Sequence, residues 1–356
     1  MQLFNNTNPK SLRISTSDKL ALVSNLATML TAGIPILEVV DSLLEDAKGS
    51  QKRLLESLKS DLSQGNHVAD ALGKFPRVFD KITVNLIKAS EEAGTLDVTL
   101  ADLKISIKKD AEFTDKIKGA LTYPVLIFFV FVGVLLMILI VVVPKISSVF
   151  LRLNVPLPLP TKILIAMSQI LTQHTLLVGI GAVIIGAGIF LLYREKKKEF
   201  LHILFMLPLV STLAQQIDLT RFSRSLYLLL NAGIPIAAAL ELAQEVVLKK
   251  EVSKAIIYCK DVVLAGSELS DGLKKAKHIF PNIMIKITEA GEKSGSLDKS
   301  MLDVSEYLDY EVANTLKTLT TLLEPIMLVV VGILVGGMML SIIAPIYGLI
   351  GQVTSK

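Results

Sequence analysis

The chain has 356 residues, 51% of them hydrophobic, a mean hydropathy of +0.57 and a formal net charge of +4. So apolar a composition excludes an ordinary water-soluble globule, and a lone cysteine, Cys259, excludes an intrachain disulfide or a Cys-rich metal site. The charge excludes a basic nucleic-acid face, because residues 1–124 carry 16 basic and 16 acidic side chains and residues 194–325 carry 17 of each; the surplus is Lys145, Arg152, Lys162 and Lys356.

Residues 1–16 read as an N-terminal tail; Met1–Asn6 lacks a basic stretch followed by an apolar core, so no cleavable signal is predicted. From residue 17 to 124 the pattern is helical throughout. Ser17 or Asp18 is expected to cap a helix to about Thr31, with Leu22, Leu26 and Leu30 on one face. Gly33 ends it, and Pro35 is placed in the first turn of the next helix, where its missing N–H costs little. Further helices are predicted over residues 50–64, 67–73, 78–90 and 95–118, about six in this first lobe.

Residues 125–143 are uncharged and lie between two prolines; as a helix they extend about 28 Å, close to the hydrocarbon thickness of a bilayer. This is the first predicted transmembrane helix. Residues 144–174 follow as an outer loop, in which Pro156, Pro158 and Pro160 predict an extended brace and Lys162–Gln173 an interfacial helix. A glycine-rich run over 175–193 is the second span, stopped by Arg194, Lys196, Lys197 and Lys198. A second helical lobe occupies 194–324, a third span 325–345, and a tail 346–356.

The two lobes and their spans are copies. Gly65, Asp70, Leu72, Phe79, Glu91, Gly94, Leu96, Asp97, Pro124 and Pro144 fall on Gly266, Asp271, Leu273, Phe280, Glu292, Gly295, Leu297, Asp298, Pro325 and Pro345 at a constant shift of 201. Further upstream, Ala32-Gly33-Ile34-Pro35 matches Ala232-Gly233-Ile234-Pro235 at a shift of 200, so one residue is gained between the blocks. The unpaired second span makes this a parallel repeat, with both lobes on one side of the membrane. Lys104, Lys108, Lys109, Lys116 and Lys118 before the first span, and the Arg194 cluster after the second, put that side in the cytoplasm.

The doubled element Glu-x-x-Gly-[Thr/Ser]-Leu-Asp, at Glu91, Gly94, Leu96, Asp97 and again at Glu292, Gly295, Leu297, Asp298, has two compatible readings. Structurally, the glycine ends one helix, Thr95 or Ser296 caps the next, and the aspartate meets the positive end of its dipole. Functionally, the two acidic turns form a docking surface for a cytoplasmic partner. Gly332 and Gly336 make a Gly-x-x-x-Gly element that permits close helix packing in the membrane, within or between chains.

No catalytic constellation emerges. The stretch from Glu292 to Ser300 fails as a phosphate loop, since Leu297-Asp298 separates Gly295 from Lys299-Ser300 and no strand precedes it. His67, His174, His202 and His278 are scattered, and none of the three apolar runs contains a charge. That last point disfavours the chief alternative, a small transporter or channel built on a parallel repeat.

Two helical lobes and three spans in this order, the paired Ala-Gly-Ile-Pro turns, the paired acidic turns and the Pro-Leu-Pro-Leu-Pro-Thr loop together resemble the inner-membrane platform proteins of type IV pilus and type II secretion machines. One departure is Ser90, where the second lobe has Gly291. The resemblance implies an all-α, multi-pass protein of the bacterial inner membrane with a cytoplasmic N-terminus, no cofactor and no enzymatic activity. It also implies partners: a cytoplasmic hexameric assembly ATPase, pilin or pseudopilin subunits, other inner-membrane assembly proteins and further copies of the chain.

Overall fold

The computed structural model describes residues 9–152, 159–173, 188 and 208–354, and among them all regular structure is helical. After a 3-10 turn at Pro9–Ser11, the first half runs through α1 (Thr16–Thr31), α2 (Ile36–Asp46), α3 (Gly49–Ser63), α4 (Val68–Gly73), α5 (Lys81–Ala93) and α6 (Leu96–Met137). A π-helical stretch, Ile138–Val142, leads into α7 (Val143–Arg152), and α8 covers Leu159–Gln173. The second half contains α9 (Pro208–Asn231), α10 (Ile236–Ala243) with a 3-10 turn at Gln244–Val246, α11 (Lys250–Leu264), α12 (Leu269–Lys275), α13 (Asn282–Ser294) and α14 (Leu297–Thr354).

Local chemistry moves several predicted boundaries. The cap of α1 is Ser15 rather than Ser17 or Asp18: its Oγ accepts from the Asp18 N–H at 3.0 Å while Asp18 Oδ2 accepts from the Ser15 N–H, a reciprocal capping box. Pro35 is itself the N-cap of α2, with an extended ψ of 141°, and does not enter the first turn. The helix expected from residue 78 begins at Lys81, because Asp80 caps it by accepting from the Thr83 N–H at 2.8 Å. Gly33 and Gly233 have φ of +81° and +77°, the left-handed conformation that ends α1 and α9 at equivalent places.

The change of register is localised. Helices α2 and α10 both begin at an offset of 200, whereas α3 and α11 begin at 49 and 250. The gained residue therefore lies in Val247–Lys249, opposite Ala47–Lys48. In that longer connection Asp218, on α9, accepts from the Leu248 and Lys249 N–H groups at 2.9 and 2.7 Å. Its counterpart in the first lobe, Asp18, serves the α1 cap instead.

The chain divides into two compact units, residues 1–116 with 212–313, and residues 117–211 with 314–356. The first holds both lobes around one continuous apolar cluster, including Leu22, Leu26, Phe79 and Leu86 from the first lobe and Phe222, Leu226, Phe280 and Met301 from the second. Each fully buried leucine contributes about 1.5–3 kcal/mol. Across the lobes run Lys81–Glu245 at 2.8 Å, Lys109–Glu306 at 2.7 Å and an Asn231 to Asp102 hydrogen bond at 2.8 Å. These are largely exposed, and such pairs contribute about 0–1 kcal/mol each, so apolar burial holds the lobes while charge selects their alignment. Cys259 is fully buried, and desolvation pushes its thiol up to about 12.

In the second unit, both prolines that flank the first apolar run are helical: Pro124 lies inside α6 and Pro144 inside α7. At Pro144 the structure shows how the missing N–H is accommodated. The Val143 N–H bonds five residues back to Ile138, so in this π register the Leu139 carbonyl faces Pro144, which has no proton to give. Ser168, 2% exposed on α8, donates its Oγ proton to that carbonyl at 2.6 Å. Helix α8 thereby packs on the π stretch and α7. It already includes Leu159, Pro160 and Thr161, so the brace expected through Thr161 ends earlier; residues 153–158 lie outside the described residues.

Two helical segments, Leu96–Lys145 and Leu297–Gly337, are long and apolar enough to cross a membrane, and their most apolar windows are 6% and 0% buried. Phe129, Leu328, Ile333 and Leu340 are all about two-thirds exposed, large apolar side chains whose exposure to water in such number is unfavourable. Apart from residue 188, the span expected over 175–193 lies outside the described residues, as does the Arg194 cluster. Replacing Ser168 by alanine leaves the Leu139 carbonyl unpaired in a dry site, and thermal unfolding in detergent should show a loss of about 1–3 kcal/mol.

Candidate functional site: the paired acidic turns

The paired turns are built by helix termination. Gly94 and Gly295 adopt φ of +70° and +69° at the ends of α5 and α13. The following N–H groups, of Thr95 and Ser296, reach back to the carbonyls of Ser90 and Gly291 at 2.8 and 2.9 Å, closing the same six-residue loop in both lobes. Leu96 and Leu297 then start α6 and α14 and pack, partly buried, against the core. Asp97 and Asp298 follow in the first turns, partly exposed, where the helix dipole favours a carboxylate.

The glutamates do something the sequence did not reveal. Glu91 accepts from the Val68 and Ala69 N–H groups at 2.9 and 3.2 Å, capping α4 across 23 and 22 residues of chain. Glu292 accepts in the same way from Leu269 and from Ser270, the latter at 3.0 Å, capping α12. Neither α4 nor α12 has a side-chain cap from its own N-cap residue, His67 or Glu268. His67 instead places Nδ1 3.3 Å from Glu91 Oε1. With side-chain exposure of only 21%, Glu91 is a structural tie between α5 and α4. Of the eight residues predicted for docking, Gly94, Gly295, Asp97 and Asp298 are therefore the ones not already committed to the core or to a distant cap.

Ser90 and Gly291 differ for a steric reason. A Cβ added to Gly291 would stand 2.1 Å from Ser300 Oγ and 2.6 Å from Ser300 Cβ, so the first turn of α14 closes down on a bare backbone. In the first lobe Ser90 is 1% exposed and satisfies its hydroxyl on the Ile87 carbonyl at 2.9 Å. The two turns share a path but not a packing distance.

Other polar groups are held within and between the lobes. Asp102 is held above the ordinary carboxylate range by partial burial, opposed by its hydrogen bond from Asn231. Burial likewise raises Asp218, against the pull of its two backbone N–H donors and the charges of Arg221 and Lys249. Arg224, with a side chain 6% exposed, gives Nη2 to Asp309 Oδ2 at 2.6 Å and lies over the Phe113 ring. Sequence reasoning passed over all three; the one available signal was that Asp218 repeats Asp18. The membrane glycines Gly332 and Gly336 are exposed, and a Cβ on either meets no described atom within 4 Å.

Comparison with known proteins finds the same duplication. The family described as type II secretion system (T2SS), protein F matches residues 22–144 and again residues 222–345. A type IV pilus assembly protein PilC of Pseudomonas aeruginosa is 32% identical over 345 residues, covering 95% of this chain and 91% of the relative. A protein of the same description from Myxococcus xanthus is 29% identical over 343 residues, 96% of this chain and 82% of its own length. A type II secretion system protein F of Aeromonas hydrophila is 29% identical over 336 residues, covering 93% and 86%.

The turn geometry predicts unequal responses to the same exchange. Gly291→Ser must push α14 away and should destabilise the protein by about 1–3 kcal/mol, whereas Ser90→Gly should cost only about 0.5–1 kcal/mol through helix propensity. Thermal melts of the full chain check this. Adding Ser300→Gly to Gly291→Ser should recover part of the loss.

Proposed function

This chain belongs to the type II secretion system protein F family, and on that premise we propose that it is a non-enzymatic inner-membrane platform that gathers pilin or pseudopilin subunits and couples them to a cytoplasmic hexameric assembly ATPase. The observation that carries this reading is the family match to both halves of the duplicated chain, with relatives named for pilus assembly and for type II secretion. Two helices whose most apolar stretches are almost unburied support a place in the membrane.

In this reading the lobes over 17–124 and 194–324 are cytoplasmic, with spans at 125–143, 175–193 and 325–345 and an outer segment at 144–174. The energy for assembly comes from the ATPase. The lobes receive it through the acidic turns, where Asp97 and Asp298 carry the charge left over after Glu91 and Glu292 have capped α4 and α12. The spans guide subunits out of the bilayer, alongside other inner-membrane assembly proteins. Gly332 and Gly336 would then serve contacts between copies of the chain or with those neighbours.

Two measurements test this. Reversing Asp97 and Asp298 to lysine should weaken co-purification of the ATPase by roughly tenfold, about 1.4 kcal/mol, with only a small fall in melting temperature from the lost helix-dipole interactions, about 0.3–1 kcal/mol each; undiminished binding and filament output would sink the docking surface. For orientation, Lys52 is exposed on α3 and Cys259 is inert in the folded core. A Lys52→Cys chain should react with a membrane-impermeant maleimide only after the cell is opened, and labelling of intact cells would overturn the cytoplasmic assignment.

A further inference from the structure

The Ser168 hydroxyl, bonded to the Leu139 carbonyl at 2.6 Å, pins α8 beside the π stretch, and α8 also packs on α7. The short link over residues 153–158 fixes the direction in which it runs. Were α8 to follow α7 in the same sense, Leu159 would lie about 33 Å from Arg152, whereas the link reaches at most about 25 Å. Helix α8 therefore turns back along the end of the first apolar run, antiparallel to it.

This register sets depth. Lys145 lies six positions beyond Leu139 and Lys162 six positions before Ser168, about 9 Å along each helix, so the two lysines come to one level. Both are exposed. The uncharged run over 125–143 lies wholly to one side of that level, and residues 163–173 of α8 lie on the same side.

One face of α8 is packed: Ser168 is buried, and Leu164, Ile165 and Leu171 are half-buried. Away from it, Ile163, Met167 and Ile170 form a stripe at helical spacing, each about half exposed. At the levels of Met167 and Ile170 the neighbouring helix exposes Ile140 and Met137. Apolar side chains bared on both helices, and bounded on one side by a pair of level lysines, suit hydrocarbon below a charged headgroup plane and not water. Gln169 and Gln173 stand on a separate strip of α8, so the apolar stripe itself carries no amide; at this depth their uncharged side chains call for a neighbouring membrane helix.

We propose that α8 is inserted in the outer leaflet rather than lying on the membrane surface, with Ile163, Met167 and Ile170 against lipid acyl chains and Lys145 and Lys162 at the level of the lipid phosphates. The segment in water then shrinks from 144–174 to about 146–161. This inference rests on the reading of residues 125–143 as a membrane span.

The test attaches the environment-sensitive fluorophore NBD to single introduced cysteines in the full chain, reconstituted with lipids carrying a nitroxide either on the headgroup or on the acyl chain. Cys259 is buried and stays unlabelled. Met167→Cys and Ile170→Cys replace exposed side chains and spare the packed face, and Val134→Cys reports on the middle of the span. Met167 lies about 8 Å below the level of the lysines, so NBD there and at residue 170 should be quenched at least about twofold more by the acyl-chain nitroxide than by the headgroup one, and Lys162→Cys should show the reverse order. Acyl-chain quenching at residue 134 with headgroup quenching or none at 167 and 170 would overturn the insertion of α8 alone. No acyl-chain quenching at residue 134 would overturn the span, and the inference with it.

Discussion

Each lobe depends on one carboxylate. Glu91 and Glu292 stand at the ends of α5 and α13, yet their oxygens occupy the N–H groups that open α4 and α12, more than twenty residues upstream. Short helices of this kind cannot hold themselves, since they close few internal hydrogen bonds and neither has a cap of its own. The tie fixes the angle between two helices and delivers the following glycine turn to a set place. From there the core-packed Leu96 and Leu297 aim α6 and α14 onward.

This arrangement explains why an acidic, glycine-containing turn repeats without implying that all of it faces a partner. The spacing between the glutamate and the glycine, the same in both halves, follows from geometry alone, because the helix must end just after the capping side chain has left it. The aspartates three residues beyond the glycines are free of that demand. Their recurrence in both halves is what leaves room for recognition.

Much of the fold was legible in the sequence, and the losses have a common cause. Left-handed glycines, the helix pattern, the apolar runs and the duplicated register are local or periodic signals, and the helices fall within a few residues of where those signals put them. What failed to appear were interactions whose partners are distant in sequence. The Ser168 hydroxyl on the Leu139 carbonyl, the Glu91 cap of α4 and the Asp218 hold on the α10–α11 connection each join residues from different elements. Pro144 leaves a carbonyl without its backbone donor, and a side chain from α8 supplies the proton instead. At the candidate site, the glycines and aspartates were readable as a turn, but only the structure separates the glutamates from them.

The contacts between the lobes carry a further implication for the duplication. Lys81, Lys109 and Asp102 meet Glu245, Glu306 and Asn231, but exchanging each residue for its counterpart in the other copy gives Asn282 with Glu45, Tyr310 with Ile105, and Asp303 with Thr31. None of these is a pair of opposite charges. The aligning contacts therefore belong to one pairing, a first lobe with a second lobe, and are not restored when the halves exchange places. A chain assembled from two first lobes, or two second lobes, would keep the shared core pattern and lose the charges that align it. However alike the halves are in fold, the polar contacts that align them call for one of each.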